Sequence, residues 1–307
     1  MTPRMLLAVT ATLAAACAVN AATGRRQLSL ISEGQEIQMG REYDPQVAAS
    51  MGLDPDTALQ RYVQDLGTRL AARSERPGLP WTFRVVDDPV VNAFALPGGY
   101  IYVTRGILAH LNSEAELSAV VGHEIGHVTA RHSATQMSRQ QLAQVGLAIG
   151  SIVSKDVERF GGIASAALGV LFLKYSRDNE SEADALGLRY MRRADYAARE
   201  MPNVFVVLAR VSAAQPGDRT PEWLATHPNP ENRYARISQM IAALPPDSVG
   251  HRVDRERYFA RVNGIVSART HARGISVAPS SCTPICASGC DSPTAGRRRT
   301  NVRRSWP

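Results

Sequence analysis

The sequence predicts an α+β fold: a mostly helical domain with one small β-sheet placed just before its most strongly apolar-striped helix. Three observations carry this reading. Apolar residues recur close to every 3.6 positions over 57–73, 113–132 and several later stretches, the period of a helix buried along one face. Strand-type runs are confined to residues 81–104. At 44% hydrophobic against 21% charged residues, most of the 307 residues can fold around a core.

The elements follow in order. Arg4 precedes an uncharged apolar run, 5–16, too short to span a bilayer but suited to a signal-peptide core. Ala14-Ala15-Ala16-Cys17 resembles a bacterial lipoprotein signal, with Cys17 as the lipid-modified first residue. Ala18 after it fits outer-membrane sorting. Cleavage after Ala21 or Ala22, which would free the protein, stays open. The domain boundaries expected are a signal over 1–17, a polar lead-in over 18–55, the main domain over 56–266, and a tail over 267–307. Within the main domain, Leu59, Tyr62, Val63, Leu66 and Leu70 mark a helix to about Arg73. Residues 81–86 read as a strand broken by Asp87-Asp88-Pro89, and 92–96 as a second ended by Pro97-Gly98-Gly99. Tyr100-Ile101-Tyr102-Val103-Thr104 is the clearest strand. Ser113 is the expected N-cap of the next helix, with Glu116 completing a capping box and Leu117, Val120, Val121, Ile125 and Val128 striping it down to about His132. A helix is expected from Ser138 to about Ser154. The uncharged segment 160–173 then reads as a helical flap, with a membrane-dipping hairpin as the other reading. Helices over 177–191, 202–213 and 231–244 complete the domain.

Charge and cysteine usage exclude some functions. The net charge is +7, but 267–307 holds seven Arg against the single acid Asp291, so residues 1–266 carry only +1. A nearly neutral body offers no footprint for nucleic acid. Between Cys17 and Cys282 there is no cysteine, so the core is neither disulfide-stapled nor cysteine-metallated. The tail, rich in Ser, Arg, Thr, Pro and Gly, reads as disordered. Its Cys282, Cys286 and Cys290 lack an obvious fourth ligand for a metal.

The chemistry is concentrated in His123-Glu124-Ile125-Gly126-His127. Two His four apart on a helix share a face, roughly 5–6 Å apart, and can converge on one Zn²⁺. Glu124 lies about 100° round from His123. It reaches an activated water without ligating the metal, and can take that water's proton as it attacks a peptide carbonyl. A catalytic zinc needs a third protein ligand and an open position, and a downstream His, Asp or Glu must supply the ligand. Glu180 and Asp184 are also four apart on an expected helix, whereas Glu182 lies about 200° from Glu180 and should point away. Arg177 and Arg189 are possible neighbours of this acidic cluster. His132 falls about 140° off the ligand face, and His110, His251 and His271 have no paired spacing; none is given a role.

Several motifs in order carry a resemblance. Gly122 to Val128, Tyr175 to Asp184, Thr226-His227-Pro228 with Arg233, the segment 92–99 and the lead-in 23–28 together resemble the HtpX/CAAX-prenyl-protease family of zinc peptidases, closest to its exported periplasmic and lipoprotein branch. The resemblance implies a zincin-type (gluzincin) domain with one Zn²⁺, Glu180 as third ligand, and Asp184 supporting a ligand by hydrogen bonding. It implies that His227 polarises the substrate carbonyl or caps the open zinc position at rest, and that Arg233 helps stabilise the oxyanion. It sets Asn92, Ala93, Phe94 and Ala95 on a sheet edge where substrate adds as a strand. The function implied is endoproteolysis of misfolded or misassembled envelope proteins in the periplasm, with a membrane tether at Cys17. The alternative is an envelope chaperone that rarely cuts; the presence of Glu124 favours the enzyme. Unlike the family's integral-membrane branch, the sequence shows no spanning helix beyond the signal.

Overall fold

β-Branched and aromatic residues between 82 and 104 build a three-stranded sheet. A computed structural model of the chain describes residues 17–148, 175–214, 227 and 230–265, all within one unit, Met1–Arg269; a second unit is Thr270–Pro307. The signal segment before Cys17, the flap over 160–173, the expected helix beyond Ala148, Thr226, Pro228 and the tail cysteines lie outside the described residues.

The sheet comprises β3 (Thr82–Val86), β4 (Ala93–Leu96) and β5 (Tyr100–Thr104), in the order β3-β5-β4. β3 runs parallel to β5, with Thr82 opposite Tyr100, and β4 runs antiparallel to it, with Ala93 opposite Val103. All five residues of β5 are buried, because both faces of the sheet are covered. Val85, Ile101 and Val103 join the main core on one face. On the other, Val86, Phe94, Leu96, Tyr100 and Tyr102 pack with Tyr43, Val47 and Met51.

Those last three residues belong to a helix that the polar lead-in concealed. Ahead of it, β1 (Cys17–Val19) and β2 (Arg26–Leu28) pair antiparallel. Helix α1 (Glu33–Met51) then starts at a capping box of Ser32 and Gln35. Only Glu36, Gly40 and Val47 of its residues are fully buried, so its apolar stripe is too thin to read. Asp44 fixes it to the sheet, accepting from the Tyr102 hydroxyl at 2.7 Å and from Arg84 at 2.6 Å.

The remaining helices form the layer that carries the chemistry. Helix α2 (Thr57–Ala71) is capped by Asp56 and buries Leu59, Tyr62, Val63, Leu66 and Leu70, the stripe its spacing predicts. After the single turn α3 (Arg105–Leu108), helix α4 (Glu114–Thr129) runs through the centre with all of its residues buried. Ser113 Oγ caps it by accepting from the Glu116 amide, but the expected capping box does not close. The Glu116 carboxylate accepts instead from the backbone and side chain of Asn112. The helix also stops earlier than its apolar stripe suggested. Arg131 adopts φ +57, a left-handed turn, and α5 (His132–Ala148) starts directly after it, six residues before the expected start.

Helix α6 (Arg177–Arg193) lies against α4 at backbone distance. A Cβ on Gly126 would stand 2.8 Å from the Ala183 carbonyl, and one on Gly187 would stand 2.8 Å from the His123 nitrogen. Only residues without side chains let the two helices approach this closely. Helices α7 (Met201–Ala214), α8 (Pro230–Ala242) and α9 (Arg255–Val262) close the layer. Among the described residues no helix is long and apolar enough to cross a membrane.

Candidate metal centre

Helix α4 brings His123 and His127 onto one face, α6 brings Glu180 opposite them, and His227 enters before α8. One ligand atom from each lies within 4.8 Å of all the others, and all four residues are buried. His123 Nε2 stands 3.0 Å from His127 Nε2 and 3.4 Å from Glu180 Oε2. His127 Nε2 is 3.4 Å from Glu180 Oε1. His227 Nδ1 lies 3.3 Å from His123 Nε2 and 3.0 Å from Glu180 Oε1. Tetrahedral zinc with bonds of about 2.0–2.1 Å sets its ligand atoms about 3.3 Å apart. The donor set, two to three imidazoles and one carboxylate, is also one that zinc takes. The residues therefore fit a zinc ion in both spacing and chemistry.

The two α4 imidazoles are too close for both to carry charge. Burial and the Arg233 charge push His123 down, but hydrogen bonds with Asp184 and Glu180 outweigh them and raise it to about 9. Burial holds His127 well below its usual value. Glu180 is lowered well below the usual carboxylate range: burial opposes this, but His227, His123 and His127 surround it.

His123 is supported from behind by a charged network. Its Nδ1 donates to Asp184 Oδ1 at 3.0 Å. Arg233 binds both Asp184 oxygens, at 2.9 and 2.5 Å, and its Nη1 lies 2.8 Å from Glu180 Oε2. Arg236 adds a contact of 2.5 Å to Asp184 Oδ2 and a hydrogen bond to Ser181. The neighbours of the acidic pair are thus Arg233 and Arg236 of α8. Arg189, expected there, pairs instead with Glu75 at 3.1 Å. Arg233 thus bridges Glu180 and Asp184, and its Nη2 also stands 3.2 Å from His123 Nδ1.

Behind His127 stand residues that periodicity could not reveal. Its Nδ1 is 2.9 Å from His132 Nδ1, and His132 Nε2 is 3.0 Å from Glu182 Oε2. The Tyr175 ring stacks on His127 at 3.9 Å and its hydroxyl meets Ser133 Oγ at 2.8 Å. Burial lowers His132 against the pull of Glu182. Helical counting placed His132 off the ligand face because it assumed an unbroken helix; the left-handed Arg131 turns the chain back. Glu182 does face away from Glu180's partners, but that direction is where His132 lies. No sequence signal beyond a lone His and a lone Glu marks this pair.

Glu124 differs from every neighbour. It is 1% exposed, and among the described residues neither carboxylate oxygen has a hydrogen-bond partner. His227 Nε2 lies 3.6 Å from Glu124 Oε1. Burial, working against the nearby histidines, raises its pKa. A buried carboxylate without a hydrogen-bond partner among the described residues, beside four converging ligand atoms, is a feature of the site that packing alone does not account for. Of the expected substrate strand, Ala93, Phe94 and Ala95 lie in β4, an edge strand of the sheet. Asn92 precedes it with a buried Oδ1 that lacks a hydrogen-bond partner among the described residues.

Comparison with known proteins agrees with this geometry. The model of peptidase family M48 matches residues 57–241, more than half of the chain. The beta-barrel assembly-enhancing protease of Escherichia coli (strain K12) is 35% identical over 250 residues, covering 78% of this chain and 50% of that protein. The protein of the same name from Yersinia pestis is 35% identical over 248 residues, with the same shares. The mitochondrial metalloendopeptidase OMA1 of Arabidopsis thaliana is 36% identical over 172 residues, 55% of this chain and 33% of that protein. The chain spans about half the length of the bacterial relatives it matches. A family match of this extent, on a domain whose central helix carries His123, Glu124 and His127, makes the chain a member of peptidase family M48, the HExxH zinc metallopeptidases.

Proposed function

We propose that the chain is a zinc-dependent metalloendopeptidase in which His123, His127 and Glu180 hold the metal and Glu124 is the general base. The orphaned Glu124 carboxylate carries this reading: a buried acid with no hydrogen-bond partner costs stability and persists where a reaction uses it. A zinc ion held by the three ligands would supply a Lewis acid for the scissile carbonyl and acidify a water. Glu124 takes a proton from the attacking water and returns it to the leaving amine. Asp184 orients His123, and Arg233 holds Asp184 and Glu180 together. His227 Nδ1 sits among the ligand atoms in this arrangement, which supports a resting state that it closes and substrate opens. Substrate adds to the edge of β4, with Asn92, Ala93, Phe94 and Ala95 forming the first contacts.

The names of the bacterial relatives, beta-barrel assembly-enhancing proteases, support cell-envelope proteins as substrates; that these are misfolded or misassembled copies is our extension of that reading. Export to the periplasm and a tether through a lipidated Cys17 rest on the N-terminal sequence, Ala14-Ala15-Ala16-Cys17. Nucleic acid has no part in the reading. In the test, purified wild type degrades casein and holds one zinc per chain, while Glu124→Gln holds the zinc and does not cut. Equal zinc in Glu180→Ala would overturn the ligand assignment. Metabolic labelling with palmitate, present in wild type and lost in Cys17→Ser, tests the anchor.

A further inference from the structure

Every metal-ligating imidazole uses one nitrogen for the metal and leaves the other to be oriented by something else. For His123 that partner is Asp184, an ionised acid. Among the described residues His127 Nδ1 meets no carboxylate and no carbonyl; it faces the Nδ1 of a second histidine, His132, at 2.9 Å.

The hydrogens of this contact follow from the donor rules. If His127 gives its Nε2 lone pair to a metal, its proton is on Nδ1, and Nδ1 must donate. His132 Nδ1 must then accept, which puts the His132 proton on Nε2. That atom lies 3.0 Å from Glu182 Oε2, an acceptor. The three groups thus have one consistent arrangement, with each hydrogen bond fixing the tautomer of the next. Arg25 lies 3.7 Å from the other Glu182 oxygen. Tyr175 stacks on the His127 ring and limits its rotation.

We infer that His132 is a positioning residue for the metal centre: it fixes the tautomer and orientation of His127, and Glu182 fixes His132 in turn. The inference rests on the metallopeptidase reading above, since it assigns His127 Nε2 to a metal. It gives the two ligands of one helix different supports, an ionised acid clamped by arginines for His123 and a neutral imidazole relay for His127. The left-handed Arg131 is what makes the relay possible, because an α-helix continued to residue 132 would carry that side chain about 140° away from the ligand face.

The test measures zinc affinity by chelator competition in the full chain carrying Glu124→Gln, so that self-cleavage does not intervene. Removing a hydrogen-bonding partner of a ligating histidine weakens metal affinity by about 10–100-fold. His132→Leu is expected to lose affinity on that scale, Glu182→Ala less, and His132→Asn to regain part of the loss, because the Asn amide oxygen stands near the vacated Nδ1. Proton NMR supplies a readout that a merely structural role would not move. The zinc-loaded parent should show an exchange-protected imidazole N–H from His127 that is missing in His132→Leu. Unchanged zinc affinity in His132→Leu and Glu182→Ala overturns the inference. Should His132→Leu fail to fold, unchanged affinity in Glu182→Ala alone overturns it, since that side chain reaches the surface. A parent that binds no zinc at all fails the metallopeptidase reading instead.

Discussion

Glu114 and Glu124 sit ten residues apart on helix α4, and both are buried, yet one is saturated with partners and the other has none. The Glu114 carboxylate accepts from the Tyr62 hydroxyl at 3.0 Å, the Tyr196 hydroxyl at 2.5 Å and Arg69 at 3.0 Å. Arg252 and Arg257 approach it at 3.2 and 3.4 Å. These partners come from α2, from the segment after α6, from the segment before α9 and from α9 itself, so the first turn of α4 is a knot that ties these four parts of the chain to it. Neither Glu124 oxygen has a hydrogen-bond partner among the described residues. The pairing of Glu114 accounts for its burial within the fold, whereas the unpaired burial of Glu124 is what the proposed role of general base explains.

The difference can be broken from either end. The largest effect is expected at Glu124. Glu124→Gln should lower peptidase kcat by about 10²–10⁴-fold, the contribution of a general base, while zinc content stays near one per chain. Its melting temperature should rise, because an amide is less costly to leave unpaired than a carboxylate. A variant that still cleaves at the parent rate would remove Glu124 from the mechanism. Glu114→Ala should do the reverse: urea unfolding should show a loss of about 3–5 kcal/mol, the cost of breaking a buried ion pair from one side. Activity per folded molecule should remain within a few-fold of the parent. A selective loss of kcat there would end the division of roles.

Metal removal sharpens the contrast. Zinc at about 100 times its Kd stabilises the folded state by about 2.7 kcal/mol. Chelation should therefore lower the melting temperature of the parent, and lower that of Glu180→Ala by much less. The smallest effect is expected from the helix contact. Gly126→Ala puts a Cβ against the Ala183 carbonyl and should cost about 1–3 kcal/mol of overpacking. Because the displaced helix carries Glu180, zinc affinity should fall along with stability. Glu114→Ala should leave zinc affinity largely intact, since its first-turn knot lies three turns from the ligands.

How much was legible beforehand depends on the range of the interaction. Helix α2 and strand β5 appeared within a residue or two of where their patterns put them, because a helix stripe and a strand run are local properties. Helix α1 went unread because it packs on the sheet through few residues, and its polar face dominates the pattern. The capping box at Ser113 failed to close because Asn112, next along the chain, offered Glu116 two donors instead of one.

The sequence by itself determined that His123 and His127 share a helix face with Glu124 beside them, since four-residue spacing on an α-helix leaves no other arrangement. It also determined that Glu180 and Asp184 share a face, and that the sheet precedes the central helix. Only the tertiary structure decided which acid meets which histidine. That outcome depends on Gly126 and Gly187 letting two helices touch at their backbones, on Arg233 and Arg236 arriving from α8, and on a left-handed Arg131 folding His132 back against His127. These are contacts between residues five to 64 positions apart. Their geometry is set by packing and a single backbone angle, neither of which leaves a periodic mark in the chain.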